Sequence, residues 1–118
     1  MDKHLANITR IINAYNDLTI VNGAELSQLL KELTCELFYL EKYRSDYSEQ
    51  HNNIMYNFVG SVSAGKIDAD TQVPELYMLR RIMNAAYRCV DALRSNISYL
   101  KKEQWFGFIN IFKNQHFN

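Results

Sequence analysis

The sequence predicts an all-α fold: a long antiparallel helical hairpin with a short N-terminal helix, assembling as an oligomeric helical bundle. Three observations carry this expectation. Apolar residues recur at alternating steps of three and four through two long stretches, and no stretch alternates apolar and polar residues with the period of a strand. One proline and four glycines leave few interruptions in 118 residues. A chain of this length forms one domain, with room for a core but little for elaborate catalytic machinery.

The elements follow in order. Leu5, Ile8, Ile11, Ile12, Tyr15 and Leu18 share one helical face, which predicts a short amphipathic helix from Lys3 to Asp17 within the N-terminal region 1–20. Asn22 can cap the next helix, and Glu25, three positions on, can complete a capping-box-like arrangement. Through region 24–58, Leu26, Leu30, Leu33, Leu37, Leu40, Arg44, Tyr47, His51, Ile54 and Phe58 trace a coiled-coil-like seam, aliphatic at its start and polar at its end. A helix of that length spans about 50 Å. Residues 59–73 form the connection, with a short helix over Ser63 to Gln72, a kink at Pro74, and Asp70 or Thr71 as possible caps. Region 74–104 repeats the seam with Leu76, Leu79, Met83, Ala86, Val90, Leu93, Ile97 and Leu100. Region 105–118 is an aromatic tail.

Charge adds to this pairing. Thirteen acidic and thirteen basic residues balance, so no global field draws the chain to nucleic acid or to an anionic membrane. Locally the first long helix is net acidic (Glu25, Glu32, Glu36, Glu41, Asp46, Glu49) and the second net basic (Arg80, Arg81, Arg88, Arg94, Lys101, Lys102), a polarity that would select partner and orientation. A hairpin leaves the sides of its seams open. A second copy of the chain would cover them, which predicts a homodimer or higher oligomer around a four-helix core. No apolar run reaches the length of a membrane span and no signal-peptide core is visible, so the expectation is a cytoplasmic protein without a membrane partner, with Cys35 and Cys89 reduced.

"GSVSAGKI", Gly60 to Ile67, has the glycine and lysine spacing of a phosphate-binding loop, with Ile67 where Ser or Thr should follow. Such a loop needs a strand before it and a hydroxyl for magnesium, and this segment has neither. The reading preferred here is a helix stop, with Gly60 as a left-handed C-cap, the serines as caps of the next helix and Lys66 solvated. Elsewhere, Tyr77, Arg81, Asn84 and Arg88 lie on one helical stripe, where cations interleaved with aromatic rings can hold phosphates and stack bases. The competing reading is a solvated face paired with the acidic helix. Arg44, Tyr47 and His51 occupy seam positions that would otherwise be apolar; they form a polar binding pocket, a satisfied layer that sets register, or a fraying and partly exposed helix end. Trp105, Phe108, Ile109 and Phe112 keep helical spacing despite Gly107 and mark an interface, formed by folding back over the hairpin or across a dimer. No catalytic set, cofactor motif or metal-ligand spacing is recognisable, and His4, His51 and His116 stand alone.

"FYLEKYRSDYSE", "VPELYMLRRIMNAAY" and "ALRSNISYLKKE" together resemble the small all-helical accessory proteins of tailed bacteriophages. The resemblance covers most of Leu26 to Glu103 and carries no catalytic signature. It implies location in a host bacterial cytoplasm and a non-enzymatic role in counteracting a bacterial defence system, by binding a host defence protein or by sequestering a nucleotide second messenger. The alternative it admits is a recombination or replication accessory that contacts single-stranded DNA or its binding proteins, against which the balanced charge counts. A purely structural oligomerisation module is the third possibility.

Overall fold

In the computed structural model the chain forms four helices: α1 (Asp2–Asn16), α2 (Gly23–Asn57), α3 (Val62–Gln72) and α4 (Pro74–Phe117). The structure describes residues 1–18 and 22–117, and the side chains of all of these except 108 and 112–117. There is no strand among the described residues. The molecule is a rod of 82 × 26 × 19 Å. Among the described residues no helix is long and apolar enough to cross a membrane.

Local chemistry sets the helix ends. Asn22 is extended and its side-chain oxygen accepts from the Ala24 N–H at 2.8 Å, starting α2 with a cap of about 1 kcal/mol. Glu25 does not complete a capping box. At the other end the expected left-handed cap at Gly60 is not formed: Phe58 ends α2 in an extended conformation, and Gly60 follows at φ 148°. The Phe58 ring explains the difference. A Cβ placed on Gly60 would lie 2.8 Å from Phe58 Cε1, and one on Gly65 would lie 3.2 Å from Phe58 Cβ. Both glycines of the phosphate-loop spacing therefore make room for a phenylalanine.

Ser61 Oγ then accepts from the Ala64 N–H at 3.2 Å and opens α3. Pro74 opens α4, where its missing N–H leaves no intrahelical bond unmade. Asp70, a candidate cap for this helix, instead lies inside α3.

The core joins Ile8 and Ile11 of α1, Leu26, Leu33, Leu37 and Leu40 of α2, and Leu79, Met83, Ala86, Cys89, Val90 and Leu93 of α4. The seams read from three-four spacing are all buried or half-buried, because that spacing keeps one stripe of a helix facing its neighbour. Burial pushes the Cys89 thiol pKa up, and Cys35 is exposed. Along the α2–α4 contact, Gly23 sits beside Leu100 and Glu41 beside Tyr87.

The acidic helix and the basic helix do not neutralise each other. Among the described residues, no carboxylate of α2 comes within 4.0 Å of a cation of α4. Glu32 and Glu36, one turn apart, face α1: Glu32 accepts from Arg10, and Glu36 from His4 and Asn7. The expected matching of the two long helices by charge is thus replaced by polar attachment of α1 to α2 and by apolar seams between α2 and α4.

A second departure concerns the tail. Region 105–118 was expected to stand apart from a helix ending at 104, yet α4 continues through Gly107 to Phe117. A lone glycine costs a helix only about 1 kcal/mol, and neither proline nor a capping residue stops this one. Since Leu100 already lies level with the first residue of α2, residues 101–117 project roughly 25 Å beyond it. The tail does not fold back over α2: Trp105, Phe106 and Ile111 are each about 60 % exposed and Ile109 is half-buried. The side chains of Phe108 and Phe112 lie outside the described residues.

Candidate functional site

The stripe on α4 is exposed along its whole length. Tyr77, Arg81, Asn84 and Arg88 all face solvent, because the seam residues on either side of them in sequence take the buried face. The Arg81 guanidinium carbon lies 5.8 Å from the Tyr77 ring centroid, within the range of a cation–π contact. Arg81 and Arg88 flank a shallow groove floored by Ile82 and Ala85. Asn84 turns toward a different groove, shared with Glu41, Arg44 and Tyr87. The stripe is therefore continuous as a surface but serves more than one concavity.

Arg44, Tyr47 and His51 do not converge on one pocket. Arg44 donates from Nε (3.0 Å) and from a terminal nitrogen (2.8 Å) to Glu41 Oε2 on its own helix. Tyr87 of α4 donates its hydroxyl to the other oxygen of Glu41. Tyr47 packs against the core. His51, the one buried polar residue of the described set, donates from Nε2 to Asp70 Oδ1 at 2.7 Å. Arg44 is thus held on its own helix, half-exposed, and Tyr47 is a partly buried packing residue. His51 belongs to a separate place.

The donors on Glu41 lower its carboxyl pKa, Tyr87 first and Arg44 second, and the same bond raises the pKa of the Tyr87 hydroxyl. A carboxylate with a depressed folded pKa stabilises the fold above its unfolded pKa, and that contribution is lost as pH falls through the folded value. Tyr87→Phe removes the larger cause. The Glu41 pKa, followed by NMR titration of its side-chain carboxyl carbon, is expected to move up toward the ordinary glutamate range in this variant. An unchanged titration would mean that Arg44 alone holds it.

His51 and Asp70 stand at the wall of a groove of about 600 Å³ between the far end of α2, α3 and the first turns of α4. Val73, Leu76 and Met78 give it apolar surface; Tyr77 supplies an exposed ring, and Lys66 and Arg80 supply cations. Among the described residues neither cation has a carboxylate within 4.0 Å. Lys66 and Asp70 are one turn apart on α3, the spacing of a helical ion pair, but Asp70 is directed to His51 instead.

Lys66, Asp70 and Arg80 were not selected as site residues from sequence. For Asp70 the signal was indirect: a histidine at a seam position in α2 needs a polar partner once buried, and the connection offers Asp68 and Asp70, while Lys66 stood out only through the phosphate-loop spacing and Arg80 only as one cation of the basic helix. No group of three His, Cys, Asp or Glu side chains among the described residues could hold a metal ion. This end of the molecule thus carries a mixed groove with cations, an aromatic ring and one carboxylate. No family model, curated protein or solved structure matches the chain.

Proposed function

We propose that this is a non-enzymatic helical binding protein that captures an anionic partner on the basic, tyrosine-bearing side of α4. Its working unit is the antiparallel hairpin of α2 and α4, and two or more copies join through the projecting aromatic end of α4. The resemblance to phage accessory proteins gives the biological setting: counteraction of a bacterial defence system, by sequestering a nucleotide signal or by binding a defence protein.

The observation that carries this reading is the unspent charge of α4. Arg80, Arg81, Arg88 and Arg94 are exposed and have no ion pair among the described residues, although an acidic helix packs alongside. Solvated and unpaired, these cations are open to an anionic partner, since exposed ion pairs contribute only about 0–1 kcal/mol to the fold itself. Charged groups aligned on one helix and interleaved with tyrosines suit phosphate or carboxylate groups attached to flat rings.

Replacing Arg80, Arg81, Arg88 and Arg94 together by Ala is expected to abolish the thermal shift caused by cyclic or ADP-ribose-type nucleotides while leaving the melting temperature of the free protein nearly unchanged, as exposed substitutions do. A broad nucleotide panel that gives no shift would reject the nucleotide version. Binding of single-stranded DNA whose affinity falls steeply with salt would favour the recombination or replication reading instead. Native mass of the purified chain tests the assembly, and a monomer at micromolar concentration would reject it.

A further inference from the structure

The groove between α2, α3 and α4 places three kinds of group around one volume. Lys66 and Arg80 are cations without carboxylate partners among the described residues. Tyr77 offers a ring that is 67 % exposed, beside Met78. Asp70 uses one carboxylate oxygen on His51, which leaves its other oxygen as an acceptor. The volume, about 600 Å³, lies in the middle of the range occupied by small-molecule sites.

From these we infer that the groove binds a nucleotide, with its phosphates on Lys66 and Arg80, its sugar hydroxyls donating to Asp70 and its base against Tyr77 and Met78. Each part of the ligand answers a group on the wall. A bare inorganic anion would leave the aromatic and apolar surface unused. A neutral aromatic ligand would leave two cations unspent. A peptide carboxylate would engage one cation but has no flat ring bonded to a polyol. The His51–Asp70 bond acts as a positioning contact: it draws Asp70 off its helical neighbour Lys66 and keeps that ammonium open for phosphate.

The inference rests on the binding-protein reading above and names its ligand class and its site, which is centred about three turns along α4 from Arg88 rather than on it. It also returns Lys66 to the nucleotide question by a route unrelated to a phosphate loop. Residues from three helices, rather than the backbone N–H groups of one loop, surround the ligand.

The test uses the full chain labelled with ¹⁵N, titrated with ADP, adenosine and pyrophosphate. ADP is expected to shift the amide signals of Lys66, Asp70, Tyr77 and Arg80, with adenosine and pyrophosphate each binding at least tenfold more weakly. Lys66→Ala and Arg80→Ala are each expected to weaken ADP about tenfold or more, the loss of one charge-assisted contact, whereas Lys31→Ala, exposed on α2 and outside the groove, leaves it within about twofold. ADP shifts centred on Arg81 and Arg88, insensitive to Lys66→Ala, would overturn the groove while leaving the proposed function standing. Equal binding of ADP and pyrophosphate would overturn the nucleotide assignment in favour of an anion site. Absence of binding by all three probes would overturn the groove inference, and a defence-protein partner of the α4 face would then carry the proposed function alone.

Discussion

Leu33→Ala is expected to destabilise the fold by about 2–5 kcal/mol, read as a lower denaturant midpoint at unchanged slope. Leu33 is fully buried where Ile8 and Ile11 of α1 and the seam of α4 meet α2. Truncation removes apolar contacts on several sides, and long helices held by their own hydrogen bonds collapse only partly into the space. Phe38→Ala on the same helix removes a larger side chain that is 76 % exposed, and its cost is expected to stay within about 0.5 kcal/mol. If the two variants were equally destabilising, the core would not lie where the buried seam places it.

Gly60→Ala is expected to cost about 1–3 kcal/mol from backbone strain, with a further penalty from the Phe58 ring. Gly60 has φ 148°, which side chains rarely adopt, and its added Cβ would meet Phe58 Cε1 at 2.8 Å. Gly65→Ala is the control. Its Cβ would meet Phe58 atoms at 3.2–3.4 Å, a smaller conflict, and alanine gains about 1 kcal/mol of helix propensity inside α3, so the net change is expected near zero. Phe58→Ala in the Gly60→Ala background separates the two causes, because it relieves the contact and not the strain. A thermally neutral Gly60→Ala would reject the account of this segment as a seat for Phe58.

Much of the helical architecture was legible in the residues. Three-four spacing marked which side of each helix is buried, and Asn22, Ser61 and Pro74 carry the local chemistry of helix starts. The polar end of the α2 seam was visible too, through Arg44, Tyr47 and His51. What each of these binds was not, since a polar side chain in a seam has several candidate partners and sequence distance does not rank them. Arg44 is taken by Glu41 three residues before it, and His51 by Asp70 on another helix.

The candidate groove was the least legible part. Lys66 looks isolated in its own segment, and Arg80 looks like one arginine among several. Only the return of α3 against the end of α2 brings them beside Tyr77 and the His51–Asp70 pair.

By itself the sequence determined the helical segments, the starts of α2, α3 and α4 and the buried faces, because these depend on interactions within about four residues along the chain; it did not determine how α2 ends or how far α4 runs. The tertiary structure decided where Phe58 sits, why Gly60 and Gly65 are glycines, which acids face α1, and which cations of α3 and α4 are left unpaired. Those outcomes depend on how helices turn toward one another at their junctions. Side-chain packing settles that turn, and no local pattern of residue types encodes it.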